Sequence, residues 1–473
     1  MAPPRQVNRQ KPPTTKPKQR PREARQPTSN QTSIHKPASD ASDATESSSG
    51  IDLSATIPLS LQQLLLDVFK TALLSPSPPR PNPNSTTKPP ETSSTDPDPK
   101  KSSAASENTS DEAPLDTKSL IQTIKAHLYQ RDFDSAFTDA GEDLLRAYAL
   151  RWSAARALGY AGLLKAVLTW MLRLGENGGA GPDTRVVCIG GGAGAEIVAL
   201  AAAWRDLEVG SKSLEQGVAG VSLEENEADT EARTAPEIST AEEGEDEGDT
   251  PAVGPSRIHP RFSVAAVDIA DWSAVVDRLA RTISSSDVPT PSTSKYQPPL
   301  LPAAANTTTT TEDRTDFSVL FHRADILSLP EPDLKNILID TSSTPNSPAL
   351  LVTLMFTLNE LFSTSMPKAT GLLLRLTELL PPGAVLLVVD SPGSYSTLKL
   401  GKGKDGAAQE RKYPMKFLLD HTLLSVAEGR WERVFTQDSR WWRRDAARLR
   451  YEVGEGAGLE DMRFQVHVYR RLE

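Results

Sequence analysis

The run Val186-Val187-Cys188-Ile189-Gly190-Gly191-Gly192-Ala193-Gly194-Ala195-Glu196 is where residue types and spacing first imply chemistry. An apolar strand feeding a glycine-rich turn into a helix removes Cβ atoms where a ligand must approach the backbone, and aims the free N–H groups of the helix start at it. Four glycines in five positions exceed what a turn without a ligand needs. Nucleotide-like ligands bind at such turns in doubly wound sheets. Gly190, Gly192 and Ala195 also satisfy the dinucleotide spacing G-x-G-x-x-G/A, so the turn alone admits a nicotinamide cofactor as readily as another adenosyl compound. A second apolar run ends in Val267-Asp268, where a carboxylate can accept hydrogen bonds from ribose hydroxyls or, more blandly, cap the next helix. In an uninterrupted fold that acid lies roughly 20 residues past the turn. Gly190 to Asp268 spans 78 residues, and looping out residues 205–260 leaves 22. Asp325-Ile326 after a third run and Asn359-Glu360 after a fourth fall at carboxyl ends of strands, the edge on which open α/β sheets bind ligands.

Alternating strands and helices must position these residues. RVVCIG, FSVAAVDIA, FSVLFHRADIL, ALLVTLMFTL and AVLLVVDSP read as strands; AEIVALAAAW, WSAVVDRLARTI, ATGLLLRLTELL and KYPMKFLLDHTLL read as helices. The alternation predicts an α/β fold with a mostly parallel sheet covered on both faces. RWERVFTQ and MRFQVHVYRRL follow with no long helical crossover between them, which predicts an antiparallel pair at the sheet edge. This domain is expected over 181–473, with low-complexity inserts at about 205–260 and 284–314 that interrupt connections, where long insertions are tolerated. A dense helical block occupies 115–180. Residues 60–75 form one amphipathic helix, with Leu61, Leu64, Leu65, Phe69 and Leu73 at helical spacing, which must dock on the domain or bind a partner. A proline-rich linker (76–114) and a basic arm (1–59) are expected to stay disordered, because neither can bury enough apolar surface.

Composition sets the outer bounds. The chain is 37% hydrophobic with 38 prolines, enough for one core of moderate size embedded in disorder. Its single cysteine, Cys188, excludes a disulfide framework and a thiolate-rich zinc site, and no metal site is expected. The first residues lack the apolar core of a signal peptide, and no stretch reads as the roughly 20 apolar residues that cross a bilayer, so a soluble intracellular protein with no membrane partner is expected. The net charge of −10 is polarised: residues 1–39 sum to +8 and residues 222–250 to −11, leaving −7 for the rest. The basic arm reads as a nuclear-localisation or nucleic-acid patch, or as a solubilising tail.

The segments YQRDFDSAF, LLRAYALRWSAARALGYA, VVCIGGGAGAEIVALAA, VAAVDIADW, LLVTLMFTLNELFSTSMPKATGLLLRLTELLPPGAVLLVVDSPGSYS and RKYPMKFLLDHTLL together resemble a fungal family of S-adenosylmethionine-dependent methyltransferases. That family includes the large-subunit (25S) ribosomal RNA uridine-N3 methyltransferase. The resemblance covers roughly residues 115–473, with a weaker echo at 60–75. It implies the class I, Rossmann-like methyltransferase fold: a seven-stranded, mostly parallel sheet with an antiparallel last strand. It also implies S-adenosylmethionine as methyl donor, ribosomal RNA or a pre-ribosomal particle as partner, and a nuclear, nucleolar location. By position, Gly190, Gly191, Gly192 and Gly194 would wrap the methionine moiety, Asp268 would bind the ribose, and Asp325 with Ile326 would flank the adenine. One departure is visible: the first-strand position that is often acidic is Cys188, so a contact to the methionine amino group must come from elsewhere, with Glu196 a candidate. A nicotinamide oxidoreductase and a non-catalytic pre-ribosome assembly factor are the competing readings.

Methyl transfer to uridine N3 requires loss of the N3 proton, so a base is expected within hydrogen-bond reach. Glu360 and Asp390, at or just beyond the ends of the fourth and fifth strands, are the candidates, with Asn359 placed to hold a uracil carbonyl. Glu360 reads equally well as an acid at a helix N-terminus. Three basic, aromatic segments are candidates for RNA: Arg131, Arg151, Trp152 and Arg156 in the helical block; Arg411 and Lys412 in a glycine-rich loop after the fifth strand; and Arg440, Trp441, Trp442, Arg443 and Arg444 near the end. In the helical block, ordinary packing with solvated arginine heads explains the pattern too. Two adjacent tryptophans cannot both be buried on one face of a strand.

Overall fold

A computed structural model of the chain describes residues 50–75, 115–175, 183–221, 261–301, 316–339, 348–393, 395–402 and 408–473. The basic arm up to residue 49, the 76–114 linker and the acidic segment 222–260 lie outside the described residues.

Strands β1 (Thr184–Ile189), β2 (Arg261–Asp268), β3 (Asp316–Arg323), β4 (Ala349–Met355) and β5 (Val385–Asp390) pair in parallel. β1, β4 and β5 are buried almost end to end, which is why they read as unbroken apolar runs rather than as alternation. After β5 the chain makes a separate antiparallel hairpin, β6 (Tyr395–Lys402) and β7 (Ala408–Pro414). It then returns with β8 (Trp431–Trp442) and β9 (Met462–Arg471). The main sheet has seven strands in the order β3-β2-β1-β4-β5-β9-β8, with β9 antiparallel to both neighbours. A doubly wound dinucleotide sheet has its strands in the order 3-2-1-4-5-6. Insertion of an antiparallel final strand beside β5 is the feature that departs from it, and it is the arrangement the resemblance implied.

Successive residues of β1 feed opposite layers, as a strand's two-residue period requires. Val186 and Cys188 join an apolar cluster with α1 (Leu59–Leu74), α2 (Thr117–Gln130), α3 (Glu142–Tyr148), α4 (Ala154–Gly175), α5 (Ala195–Val221) and α6 (Ser273–Ile283). Val187 and Ile189 join a second cluster with α7 (Glu331–Leu338), α8 (Leu358–Leu379) and α9 (Met415–Asp420).

Several boundaries differ from those expected. α1 is a core helix: Leu61, Leu64, Leu65, Leu66, Phe69 and Leu73 are all buried. Its last carbonyls are held by two buried arginines, Arg146 on Leu73 O and Ser75 O, and Arg278 on Ser75 O. Cations at a helix C-terminus satisfy the orphan carbonyls and the dipole together. The segment before α1 is folded as well, with Ile51 and Ile57 buried, so the ordered part begins before residue 60. Helix α5 continues to Val221, beyond the expected start of the first insert at 205. The start of the second insert packs on the domain: Val288, Tyr296, Leu300 and Leu301 are buried, and Tyr296 donates to Asp206 at 2.8 Å. The supposed loop after β5 is the β6–β7 hairpin. Finally, the run Glu142–Leu174 does have the length and composition of a membrane-spanning helix, contrary to expectation; two-thirds of its apolar window is buried inside this fold.

Candidate active site

The glycine turn joins β1 to α5 at the carboxyl edge of the sheet. Gly190 has φ +80°, a left-handed conformation that glycine adopts without strain, and its N–H donates to Val267 O at 2.8 Å, tying the turn to β2. A Cβ on Gly190 would strike the Thr357 side chain, and one on Gly192 would lie 2.6 Å from Trp272 Cγ and 2.8 Å from Asp268 Cβ. The turn is therefore a cradle whose floor tolerates no side chain.

Asp268 ends β2 beside it. Its Oδ2 accepts from Gly192 N–H at 3.2 Å and its Oδ1 from Ala270 N–H at 3.2 Å. Burial raises its carboxyl above the usual range in spite of these bonds. The end of β3 is stitched to it by Ala324 N–H donating to Asp268 O at 2.8 Å. Asp325 then closes its own turn, Oδ1 accepting from Leu327 N–H at 3.0 Å, and Ile326 is buried. Arg375 of α8 fixes that loop through the carbonyls of Ile326 and Leu329.

Glu196, in the first turn of α5, is buried under the cradle. Thr353 Oγ1 on β4 donates to its Oε1 at 2.5 Å. Burial pushes this carboxyl up to about 8, with neighbouring Asp268 adding to the shift. Across from it, burial raises the Cys188 thiol well above its ordinary value, in keeping with a small buried hydrophobe. Thr353 was not anticipated; one threonine inside an apolar strand gives no sequence signal.

The helical block roofs the cradle. Trp272, 3% exposed, packs on Gly192 and against Phe137 and Tyr148, with ring centroids 6.2 and 5.7 Å away. Arg156 donates to Tyr148 Oη at 3.0 Å and lies over the Phe356 ring at 5.4 Å, and Tyr160 stacks on the same ring. Phe356 itself has φ +59°, a strained conformation for a bulky residue at the end of β4. Three expected RNA contacts are thereby corrected. Arg151 is buried, bonded to Glu460 and to Gly458 O, so its charge is already matched inside the protein. Trp152 packs on Tyr148 at 4.9 Å, and Arg156 belongs to the roof.

Past β4, helix α8 begins with Leu358, Asn359 and Glu360. Asp390, 3% exposed at the end of β5, accepts from Asn359 N–H at 3.0 Å and from Ser391 N–H at 2.7 Å. This carboxyl caps the helix start, so Asp390 positions Asn359, and Glu360 is the candidate base that faces open space. Asn359, Glu360, Arg131 and Lys412 line one cleft of about 780 Å³, together with Leu128, Phe133, Phe362, Ser363, Thr364 and Tyr395. Four residues singled out in three distant segments thus meet at one place. Arg411 lies on β7 opposite Leu398; its side chain lies outside the described residues.

The third basic segment, Arg440–Arg444, reaches the same edge of the sheet. Asp390 pairs with Gln465 across β5–β9, and Arg440, Trp441 and Trp442 pair with Phe464, Arg463 and Met462 across β9–β8. The two tryptophans point opposite ways: Trp442 packs against Gly159, whereas Trp441 is 53% exposed. Arg443, paired with Asp461 at 3.1 Å on the surface, and Arg463 lie over the Trp441 ring at 4.9 and 5.7 Å. Arg440 and Arg444 are turned inward, onto Leu53 O and Leu459 O, which removes them from the expected RNA contacts.

Comparison with known proteins identifies the family. A family described as "Putative SAM-dependent methyltransferase" matches residues 101–470. A curated relative from Saccharomyces cerevisiae, the 25S rRNA (uridine(2843)-N(3))-methyltransferase, is 30% identical over 354 residues, covering 74% of this chain and 76% of the relative. Among solved structures, an S-adenosylmethionine-dependent methyltransferase from Methanosarcina mazei (13% identity, 62% of this chain and 93% of that one, TM-score 0.25) and an O-methyltransferase family protein from Burkholderia thailandensis (10%, 76% and 70%, TM-score 0.26) are similar. At these scores the strand order of the chain itself, not its neighbours, defines the fold. The family match closes the nicotinamide alternative that glycine spacing had left open: the chain belongs to the S-adenosylmethionine-dependent methyltransferase family.

Proposed function

We propose that this enzyme methylates N3 of a uridine in large-subunit ribosomal RNA. The observation that carries the reading is the 30% identity, over 74% of the chain, to a yeast enzyme named for that reaction. The residue types suit the cofactor: the Gly190–Gly194 turn brings backbone without Cβ atoms to the end of β1, its N–H groups held by Val267 O, Cys188 O, Asp268 and Gly191 O, Asp268 ends β2 beside it at the position read as the ribose contact, and Asp325 with Ile326 follows β3. Glu196 offers the buried carboxyl that Cys188 does not, for a cationic amino group. S-adenosylmethionine, when bound, supplies an electrophilic methyl group on a sulfonium.

The chain's own groups do the rest. Asn359 is held at the start of α8 by Asp390, and its amide is placed for a uracil carbonyl or for the N3–H. Glu360, exposed at the cleft, takes the N3 proton and leaves an anionic nitrogen with an in-plane lone pair. Holding that nitrogen in line with the methyl group is the main contribution to rate, because orientation replaces a bimolecular encounter. The exposed Trp441 between Arg443 and Arg463 supports the reading from the RNA side, since stacked arginines and an aromatic face suit unstacked bases and phosphates. The enzyme acts in ribosome maturation in the nucleolus, with the basic arm serving as an address.

Nucleoside mass spectrometry of 25S rRNA from a deletion strain should show loss of one 3-methyluridine, restored by the wild-type chain and not by Asp268→Ala. Restoration by Asp268→Ala would remove Asp268 from the site, and an unchanged 3-methyluridine content in the deletion strain would overturn the reading. A tagged chain should concentrate in nucleoli; exclusion from the nucleus would refute the location.

A further inference from the structure

The cleft in front of α8 carries more than the two residues the reaction needs. Phe133, at the start of the π-helical turn after α2, is 45% exposed, and Tyr395, the first residue of β6, is 56% exposed. Neither ring has an aromatic partner among the described residues. Large apolar rings left open on the walls of a cavity mark a place where something flat is covered on binding. Two cations stand with them. Arg131 is exposed at the end of α2 in a left-handed conformation, φ +58°, unusual for a long side chain, and Lys412 is exposed on β7. Among the described residues neither makes an ion pair, although the chain pairs many of its other surface cations.

Asn359 lines the same cleft, and its Oδ1 is buried with no hydrogen-bond partner. An unsatisfied buried acceptor is costly, and a ligand donor removes the cost. Glu360 stands beside it. Unpaired cations, open rings and an amide beside a carboxylate, all lining one cleft, match the three parts of a nucleotide: phosphate, base face and base edge.

We propose that this cleft, of about 780 Å³, receives the target nucleotide turned out of its stack, with Phe133 and Tyr395 covering the uracil ring and Arg131 and Lys412 holding the adjacent phosphates. The proposal deepens the uridine reading and rests on it. It also gives a reason for the architecture. The pocket is assembled from the helical block, α8 and the hairpin, so neither the hairpin nor the 115–175 block is a decoration on the methyltransferase sheet.

The test uses the full chain and a uridine-rich single-stranded RNA bearing one 4-thiouridine. Photocrosslinked peptides should map to the segments around Phe133 and Tyr395; crosslinks confined to other segments would overturn the proposal. Phe133→Ala and Tyr395→Ala should each weaken binding of the same RNA by on the order of tenfold, the usual loss for removing a stacking ring. Both should leave the dissociation constant for S-adenosylmethionine within about twofold, and Tyr395→Phe should restore binding. The rings are exposed, so the variants fold; unaltered kcat/KM for rRNA in both alanine variants would sink the pocket while leaving the uridine reading intact. Conversely, crosslinks in the cleft from a wild-type chain that makes no 3-methyluridine would overturn that reading and leave the cleft as a nucleotide site.

Discussion

Glu196 is the residue at which the proposed cofactor contact can be tested most directly. With Cys188 in the first strand, a second carboxyl beside the cradle besides Asp268 sits on α5, buried, bonded to Thr353, and with its pKa pushed up by burial to about 8 from 4.5. In the free protein it keeps its proton at neutral pH. A cationic ligand group set against it favours the carboxylate, so binding expels a proton. The affinity for S-adenosylmethionine should accordingly rise with pH between 6 and 8, by up to about tenfold per unit, and level off above. Glu196→Gln should abolish the dependence. Calorimetry in two buffers of different ionisation enthalpy reads the released proton directly; heats that do not depend on buffer would place Glu196 away from the ligand's charge. The same shift acts on stability with a definite sign. Because the folded carboxyl holds its proton more tightly than the unfolded one, its contribution is complete below about 4.5 and is lost as pH rises through about 8.

At the scale of elements, α1 is the piece whose role the sequence left open and the structure decides. Its apolar stripe is buried against α4, α5 and α6, and Arg146 and Arg278 hold its C-terminus to the domain. A chain beginning at residue 48 should melt within a degree or two of the full chain. One beginning at residue 77 should fail to fold or lose most of its stability, and Phe69→Ala alone should cost about 3–5 kcal/mol in urea unfolding. An α1 that could be removed without effect on the melting temperature would contradict its place in the core. The sheet was legible before this because buried parallel strands leave continuous apolar runs, and because the glycine turn and Asp268 mark strand ends. α1's docking was not, since an amphipathic stripe specifies a partner surface without naming it. Nor was the inward turn of Arg151, Arg156, Arg440 and Arg444. An arginine paired with Glu460, Tyr148 or a carbonyl of a distant segment has the same sequence context as one that waits for phosphate. Four residues of the cleft were legible individually, but their meeting depends on a hairpin that reads as a glycine-rich loop.

The whole molecule has a net charge that opposes its proposed partner, −10 against a polyanion. The opposition is resolved by segregation. Residues 222–250 alone hold −11, whereas the carboxyl edge of the sheet gathers Arg131, Lys412, Arg443 and Arg463, and residues 1–39 add nine Lys or Arg. Binding to RNA driven by such local patches releases condensed counterions, so log K should fall linearly with log salt, by about 0.7 for each phosphate neutralised on a single strand. The arm and the edge can then be told apart. Deleting residues 1–47 should make the slope for long rRNA fragments shallower by several units while leaving kcat on a short target RNA unchanged, because the arm adds contacts without touching the cleft. Arg443→Ala with Arg463→Ala should instead lower the slope by about 1.4 on short and long RNA alike, about 0.7 for each of two lost phosphate contacts. Equal slopes for the truncated and full chains, measured by filter binding from about 50 to 200 mM salt, would show that the basic arm meets no phosphate and that the folded edge alone selects the RNA.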